Sequence, residues 1–140
     1  MDGLSSVASV IGVIQLTGSI VKICSGYLQE VKSAREDIIA LQRSVAGLEG
    51  TVQTLKKIIL GPHGKLLSNS LSLINDISDC LLELAALEKR IDPRGGQELM
   101  RRIGFRALKW PIKRAQVDKI IQNLEKYKTS FILSLEVDQT

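Results

Sequence analysis

Residues 34–60 read AREDIIALQRSVAGLEGTVQTLKKIIL. Within them Ile38, Leu41, Val45, Leu48, Val52, Leu55 and Ile59 recur at alternating spacings of three and four. An α-helix turns once every 3.6 residues, so this spacing draws one apolar seam along one helical face. Held over three heptad-like steps, the seam is of coiled-coil quality and demands partner helices to cover it. Gly47 and Gly50 weaken the helix locally, each by about 1 kcal/mol relative to Ala. Upstream, Ser33-Ala-Arg-Glu36 has the form of a capping box, in which a Ser hydroxyl and a Glu carboxylate satisfy each other's orphan amides. The helix is therefore expected to begin at Ala34, after a break near Lys32-Ser33. Gly61-Pro-His-Gly64 ends it, which gives a helix over about 34–60.

The same pattern extends in both directions. Leu73, Ile77, Cys80, Leu84, Leu87 and Ile91 predict a helix over about 66–91, starting at Leu66 or Asn69 and closed by Asp92-Pro-Arg-Gly-Gly96. A shorter helix is expected over about 97–109, stopped by Trp110-Pro111. A last one is expected over about 114–136, with Val117, Ile120, Ile121, Leu124, Tyr127, Phe131 and Leu135 facing inward. Toward the amino terminus, a helix over about 3–29 carries two apolar stripes. One is Leu4, Val7, Ile11, Ile14 and Val21, the other Val10, Val13, Ile20 and Cys24. A helix apolar on most faces is the central helix of a bundle. No segment sustains the period-two alternation of a strand. The reading is one all-α domain over 1–140, a bundle of about five helices whose short connections join antiparallel neighbours.

Composition agrees. The chain has 140 residues with 20 Leu and 16 Ile against five Phe, Trp and Tyr combined, an aliphatic core of the helical kind. It is too apolar for intrinsic disorder. Two Cys and one His cannot supply the four ligands of a structural zinc, and they make no secreted disulfide framework. The net charge of +4 is unevenly placed. Residues 1–88 hold seven Lys/Arg and nine Asp/Glu, residues 89–119 hold ten and three, and residues 120–140 hold two and three. A basic window of this kind seeks phosphate on lipid or nucleic acid, or is the solvated face of a bundle helix.

Residues 3–21 carry no charge. A secretory signal would open on basic residues, whereas this chain opens Met1-Asp2, and Gly3 stands one place too late for N-myristoylation. Nineteen helical residues span about 29 Å, close to a bilayer core. Yet only ten of the 19 are apolar, while six carry a hydroxyl or amide (Ser5, Ser6, Ser9, Gln15, Thr17, Ser19) and three are Gly. Such a helix suits a packed bundle at rest and a membrane when released. In the basic window, Arg101, Arg102, Arg106, Lys109, Lys113 and Arg114 flank Leu99, Met100, Ile103, Phe105, Leu108 and Trp110, an arrangement that can lie on an anionic membrane. Single-strand nucleic-acid binders add several stacking aromatics, and here Phe105 and Trp110 are isolated.

Catalytic signatures are missing. Gly61-Pro-His-Gly-Lys65 has too short a Gly spacing for a phosphate loop, lacks the following Ser or Thr, and follows a helix rather than a strand. His63 has no Cys or Asp at ligand spacing. Asp76, Asp79 and Glu83 share one helical face without the matching His or carboxylate set of a metal bundle, and read as a solvated face or a partner for the basic window. Cys24 and Cys80 read as small core residues. No enzyme, cofactor or metal is expected.

The opening Met1-Asp-Gly-Leu-Ser-Ser-Val-Ala-Ser-Val-Ile-Gly-Val-Ile-Gln-Leu-Thr17, then Tyr27-Leu-Gln-Glu-Val-Lys32, Ala107-Leu-Lys-Trp-Pro-Ile112 and Ile121-Gln-Asn-Leu-Glu-Lys-Tyr-Lys128 together resemble the HeLo-like amino-terminal domains of fungal STAND proteins. The likeness spans nearly the whole chain and departs where Ser33-Ala-Arg replaces a Pro-containing turn, which implies a softer first break. It implies a helical bundle that executes programmed cell death in fungal self/non-self recognition. In that family the amino-terminal helix is released on oligomerisation and permeabilises the plasma membrane. The 140 residues hold no NACHT or amyloid segment, so an excised domain or a stand-alone relative is expected. On this reading Leu4, Val7, Val10, Ile11, Val13, Ile14 and Leu16 insert into the membrane. Arg101, Arg102, Arg106, Lys109, Trp110, Lys113 and Arg114 meet lipid headgroups. The expected partners are anionic membrane lipids, further copies of the chain, and a NACHT-type or amyloid-motif signalling protein, with no nucleic acid. The protein is expected in the cytoplasm at rest and at the plasma membrane on activation. The alternative is a soluble oligomerisation or adaptor module of an NLR-like signalling protein without membrane activity.

Overall fold

The computed structural model describes the backbone of residues 2–61, 71–93 and 109–139, and the side chains of 7–61, 71–93 and 109–136. These residues form four helices, α1 (Asp2–Glu30), α2 (Arg35–Ile59), α3 (Leu71–Ile91) and α4 (Arg114–Gln139), with no strand among them. The all-α class is as expected, but four helices stand where about five were expected. Of the short helix expected over 97–109, residues 97–108 lie outside the described residues, and Lys109 itself is not helical. The expected start of the third helix, between Leu66 and Asn69, also lies outside them.

Each helix buries one seam. On α2 the buried set is Ile38, Leu41, Ser44, Val45, Leu48, Val52, Leu55 and Ile59, the seam read from sequence with one serine added. On α3 it is Leu73, Ile77, Cys80, Leu84, Leu87 and Ile91, again as read. On α4 Val117, Leu124, Phe131 and Leu135 are buried, while Ile120, Ile121 and Tyr127 are half-buried beside them. On α1 the second of the two stripes wins. Val10, Val13, Thr17, Ile20, Cys24, Tyr27 and, just past the helix, Val31 are buried at strict three-four spacing. The flanks Val7, Ile14 and Val21 on one side, and Leu16 and Ile23 on the other, pack half-buried against that core. Two apolar flanks require two neighbours, and α1 lies between α2 and α3.

The side-chain pairs set the directions. Arg35 reaches Leu28 and Gln42 reaches Val21 and Ser25, so α1 and α2 run antiparallel. Asp76 pairs with Ser130, Glu83 with Asn123 and Arg90 with Gln116, an antiparallel ladder in steps of seven between α3 and α4. Gly12 lies beside Leu81 and Tyr27 beside Ile91, which makes α1 and α3 parallel. Asp37 pairs with Arg114 and Ser44 with Glu125, which makes α2 and α4 parallel. Around the bundle the order is therefore α1, α2, α4, α3. This corrects the expectation that short connections join antiparallel neighbours: it holds for α1–α2, whereas α2 and α3 face each other across the diagonal, and the short connections expected on either side of the 97–109 helix fall on residues outside the described ones. The breadth of the apolar surface on α1 explains the departure, because α3 is drawn onto its second flank.

The first break also differs from expectation. Ala34 occupies the cap position of α2 in the left-handed region, φ 59°, with no side-chain cap, and its carbonyl accepts from Ile38 N–H at 3.0 Å. The helix thus begins at Arg35, one residue late for a box built on Ser33 and Glu36. Glu36 and Asp37 still sit in the first turn, where the helix dipole favours carboxylates.

Candidate functional site

One helix among the described residues is long and apolar enough to cross a membrane, by length and composition: α1, over Val7–Glu30. The core helix of a soluble bundle satisfies the same test, and 28% of that window is buried. Of the residues expected to insert, Val10 and Val13 are 1% exposed, Val7, Ile14 and Leu16 are half-buried, and Ile11 is 37% exposed. The side chain of Leu4 lies outside the described residues. The outward face of α1 shows Ala8, Gln15, Lys22, Ser25, Gly26 and Gln29, so its first exposed charge after residue 7 is Lys22. Near its middle, Thr17 is fully buried and its hydroxyl donates to the Ile14 carbonyl at 2.8 Å. Gly12 lets α3 approach, since a Cβ there would lie 3.0 Å from Leu81 Cδ1.

Polar groups clamp the second half of α1. Gln42 Nε2 donates to the Val21 carbonyl at 3.1 Å and to Ser25 Oγ at 2.8 Å. Arg35 Nη1 donates to the Leu28 carbonyl at 2.7 Å. The Tyr27 hydroxyl, buried, donates to the carbonyl of Ile91 at 2.6 Å, satisfying one of the acceptors left over where α3 ends. The Tyr27 ring meets Trp110 edge-on, with centroids 5.0 Å apart at 87°. A groove of about 640 Å³ runs past this corner beside Gly18, Lys22, Gly26, Glu30 and Asp92. At Gly26 the groove wall faces open space, since a Cβ there would touch nothing within 4 Å.

The basic window is only partly placed. Arg101, Arg102 and Arg106 lie outside the described residues. Lys109 and Lys113 are exposed. Arg114 is not a free cation: its guanidinium reaches Asp37 at 3.1 Å and Glu36 at 3.7 Å across the α2–α4 side. The hydrogen bond to Asp37, then the charges of Asp37 and Glu36, raise its pKa further. Trp110 turns inward, packed against the core with its Nε1 buried and without an acceptor among the described residues. Behind it, Ile112 is buried. Lys113 caps α4, and the Gln116 side-chain oxygen accepts from its N–H at 3.4 Å and from Arg90 at 2.7 Å. That is the returning half of a capping box.

The remaining titratable groups build structure. Of the expected acidic face, Asp76 and Glu83 accept from Ser130 and Asn123 on α4, and Asp79 is exposed. Burial first, and then a hydrogen bond to Glu83, raise the Tyr127 pKa. Burial pushes the Cys80 thiol up to about 12, so it is an inert core group. Cys24 is also a buried free thiol. No cluster that could hold a metal ion is present among the described residues. His63 lies outside them.

Arg35, Gln42, Thr17 and Tyr27 escaped the reading of the sequence. The step of seven through Val10, Thr17, Cys24 and Val31 was the available signal for Thr17. Nothing local points Gln42 or Arg35 at carbonyls of another helix. No protein-family model, no curated protein and no solved structure matches the chain.

Proposed function

We propose that this chain is a membrane-acting helical module, a bundle that rests in the cytoplasm and sends α1 into the plasma membrane when copies cluster. By its resemblance to HeLo-like domains, the setting is execution of fungal cell death in heterokaryon incompatibility or innate immunity, downstream of a NACHT-type or amyloid-motif partner. One observation carries the reading. α1 has the length and apolarity of a membrane span and no charge from residue 3 to 21, yet part of it serves the core. Lipid replaces what leaving the core removes, because acyl chains are as apolar as Leu and Val. Clustering supplies facing helices that can share Ser9, Gln15 and Thr17.

Lys109 and Lys113, with Arg101, Arg102 and Arg106, supply attraction to anionic headgroups at about 1 kcal/mol each. Arg114 is engaged by Asp37, and Trp110 by Tyr27, so these two shape the corner instead.

The test is dye release from phosphatidylserine-containing vesicles by protein clustered on a multivalent antibody. The intact chain is expected to release dye, and a chain lacking residues 2–21 to be silent. Because that deletion also removes core residues, Ala8→Glu with Gln15→Glu is the cleaner variant. Both positions are exposed at rest, so the bundle keeps its fold while the inserting segment gains two charges. Silence of the intact, clustered chain defeats the proposal. The soluble adaptor reading then stands, favoured by the burial of Val10 and Val13 and the inward Trp110.

A further inference from the structure

We infer that the outward face of α3 is a self-association surface, on which two copies of this chain pack α3 against α3, antiparallel, about a two-fold axis level with Leu84. This goes beyond the membrane-acting reading and does not depend on it, because it concerns the folded chain in solution.

Ser72, Asn75, Asp79, Leu82, Ala86 and Lys89 follow one another along α3 at spacings of three and four, and all six are exposed. Every helix of a bundle has an outward row of this kind, and those of α2 and α4 suit water. On α2 it is Arg43, Ala46, Gly50, Gln53 and Lys57, with no large apolar side chain. On α4 it is Lys119, Gln122, Lys126 and Thr129, polar throughout. The row on α3 differs at its centre. Leu82 stands 70% exposed beside the small exposed residues Ala85 and Ala86. Asp79 lies about one turn before it and Lys89 about two turns after it. Neither charge forms an ion pair among the described residues.

A two-fold axis demands a patch that complements itself: where one residue meets a second on the other copy, the second meets the first. In an antiparallel pair, residues equally far from Leu84 along the helix face each other. Leu82 then lies over Ala86 of the second copy, and Asp79 lies against its Lys89, each pairing made twice. A large side chain over a small one lets the helices interlock as knobs and holes. A parallel pair would set Leu82 on Leu82 and Asp79 on Asp79, with like charges facing. An anionic lipid surface would gain Leu82 and repel Asp79. Charge thus selects both the occupant and its direction. A standard interface buries about 800 Å² per partner, and four facing layers bury less, so the dimer is weak in dilute solution. It becomes populated where copies are held together, at the effective concentration of tethered partners, about 1 mM.

The test is sedimentation velocity of the full chain without lipid, in a series rising to about 1 mM. The parent is expected to pass from monomer to dimer, and Leu82→Glu, at an exposed position, to stay monomeric. The charged pair tests the register without touching Leu82. Asp79→Lys alone and Lys89→Glu alone turn both pairs of a dimer repulsive, so each is expected to weaken association about tenfold. An equimolar mixture of those two variants is expected to regain the affinity of the parent, because each chain then supplies the charge the other lacks. A parent that stays monomeric throughout, a dimer that Leu82→Glu leaves intact, or a mixture no tighter than its components overturns the inference. A monomeric parent whose binding to phosphatidylserine-containing vesicles is lost in Leu82→Glu also overturns it and gives the face to lipid. Failure here leaves the membrane-acting reading standing, and a silent dye-release assay leaves the dimer standing.

Discussion

Tyr27→Phe removes one buried oxygen and leaves the ring in place. The hydroxyl donates at 2.6 Å to the carbonyl of Ile91, the last residue of α3, from a side chain only 3% exposed. That carbonyl is among the last four of its helix and has no donor one turn on within α3. Phe takes the bond away without opening a cavity, so the loss is that of a buried acceptor deprived of its partner, about 1.5 kcal/mol. For a domain of this size, about 1 kcal/mol moves the melting temperature by about 3–4 °C. The expected drop is therefore about 5 °C in Tm, with an unchanged urea m-value because the same surface is exposed on unfolding. Thermal melts followed by far-ultraviolet circular dichroism give the number. The near-ultraviolet Trp110 signal should persist, since the edge-on ring contact at 5.0 Å does not involve the hydroxyl. A Tm within about 1 °C of the parent, where the bond would be worth a few tenths of a kcal/mol, refutes the reasoning.

Ala34→Gly should raise stability by about 0.5–1 kcal/mol in urea titration, because Ala34 sits at φ 59°, where a Cβ is penalised and Gly is not; a lower midpoint would count against that strain. Thr17→Val should stabilise the resting bundle by about 0.5–1 kcal/mol, since Ile14 keeps its helical donor and a core position gains a methyl; in the vesicle assay the same variant should release dye more slowly. The Cys80 thiol is held near 12 against an ordinary value of 9.0. Its contribution to stability is therefore complete below pH 9 and is lost as pH rises toward 12, the unfolded chain losing its proton first. Urea midpoints should fall across that range, and Cys80→Ala should flatten the fall; an equally steep decline in the variant would assign it to other groups.

Helix type and most seam residues were legible because three of the helices repeat their apolar residues at one spacing on one face. α1 was harder, since either stripe can serve as the inner face by hydropathy alone. The buried one includes Thr17, and its advantage is geometric: Val10, Val13, Thr17, Ile20, Cys24 and Tyr27 stay on one line over the length of the helix. The capping box at Ser33 was a sound local pattern overridden by the left-handed turn at Ala34. In the basic corner, composition alone showed neither that Trp110 packs inward nor that the exposed Arg114 pairs across helices. Their partners, Tyr27 and Asp37, are 83 and 77 residues away in sequence, and no local rule reaches that far. The polar clamps on α1 were illegible for the same reason, because an amide on α2 says nothing about which carbonyl it meets.

The order of helices around the bundle bears on how the protein assembles. α1 with α2, and α3 with α4, are two hairpins laid side by side through parallel pairs, and only the chain between residues 61 and 71 joins them. The first hairpin closes over residues 31–34 alone and so forms early and locally, whereas α3 and α4 are separated by residues 92–113 and the mating faces of the two hairpins are satisfied only on docking. Nothing in those faces distinguishes a hairpin of the same chain from that of its neighbour. At high local concentration, exchange of hairpins between copies preserves every buried seam while linking molecules together. Fragments cut between the hairpins should likewise find each other in solution and rebuild the native bundle.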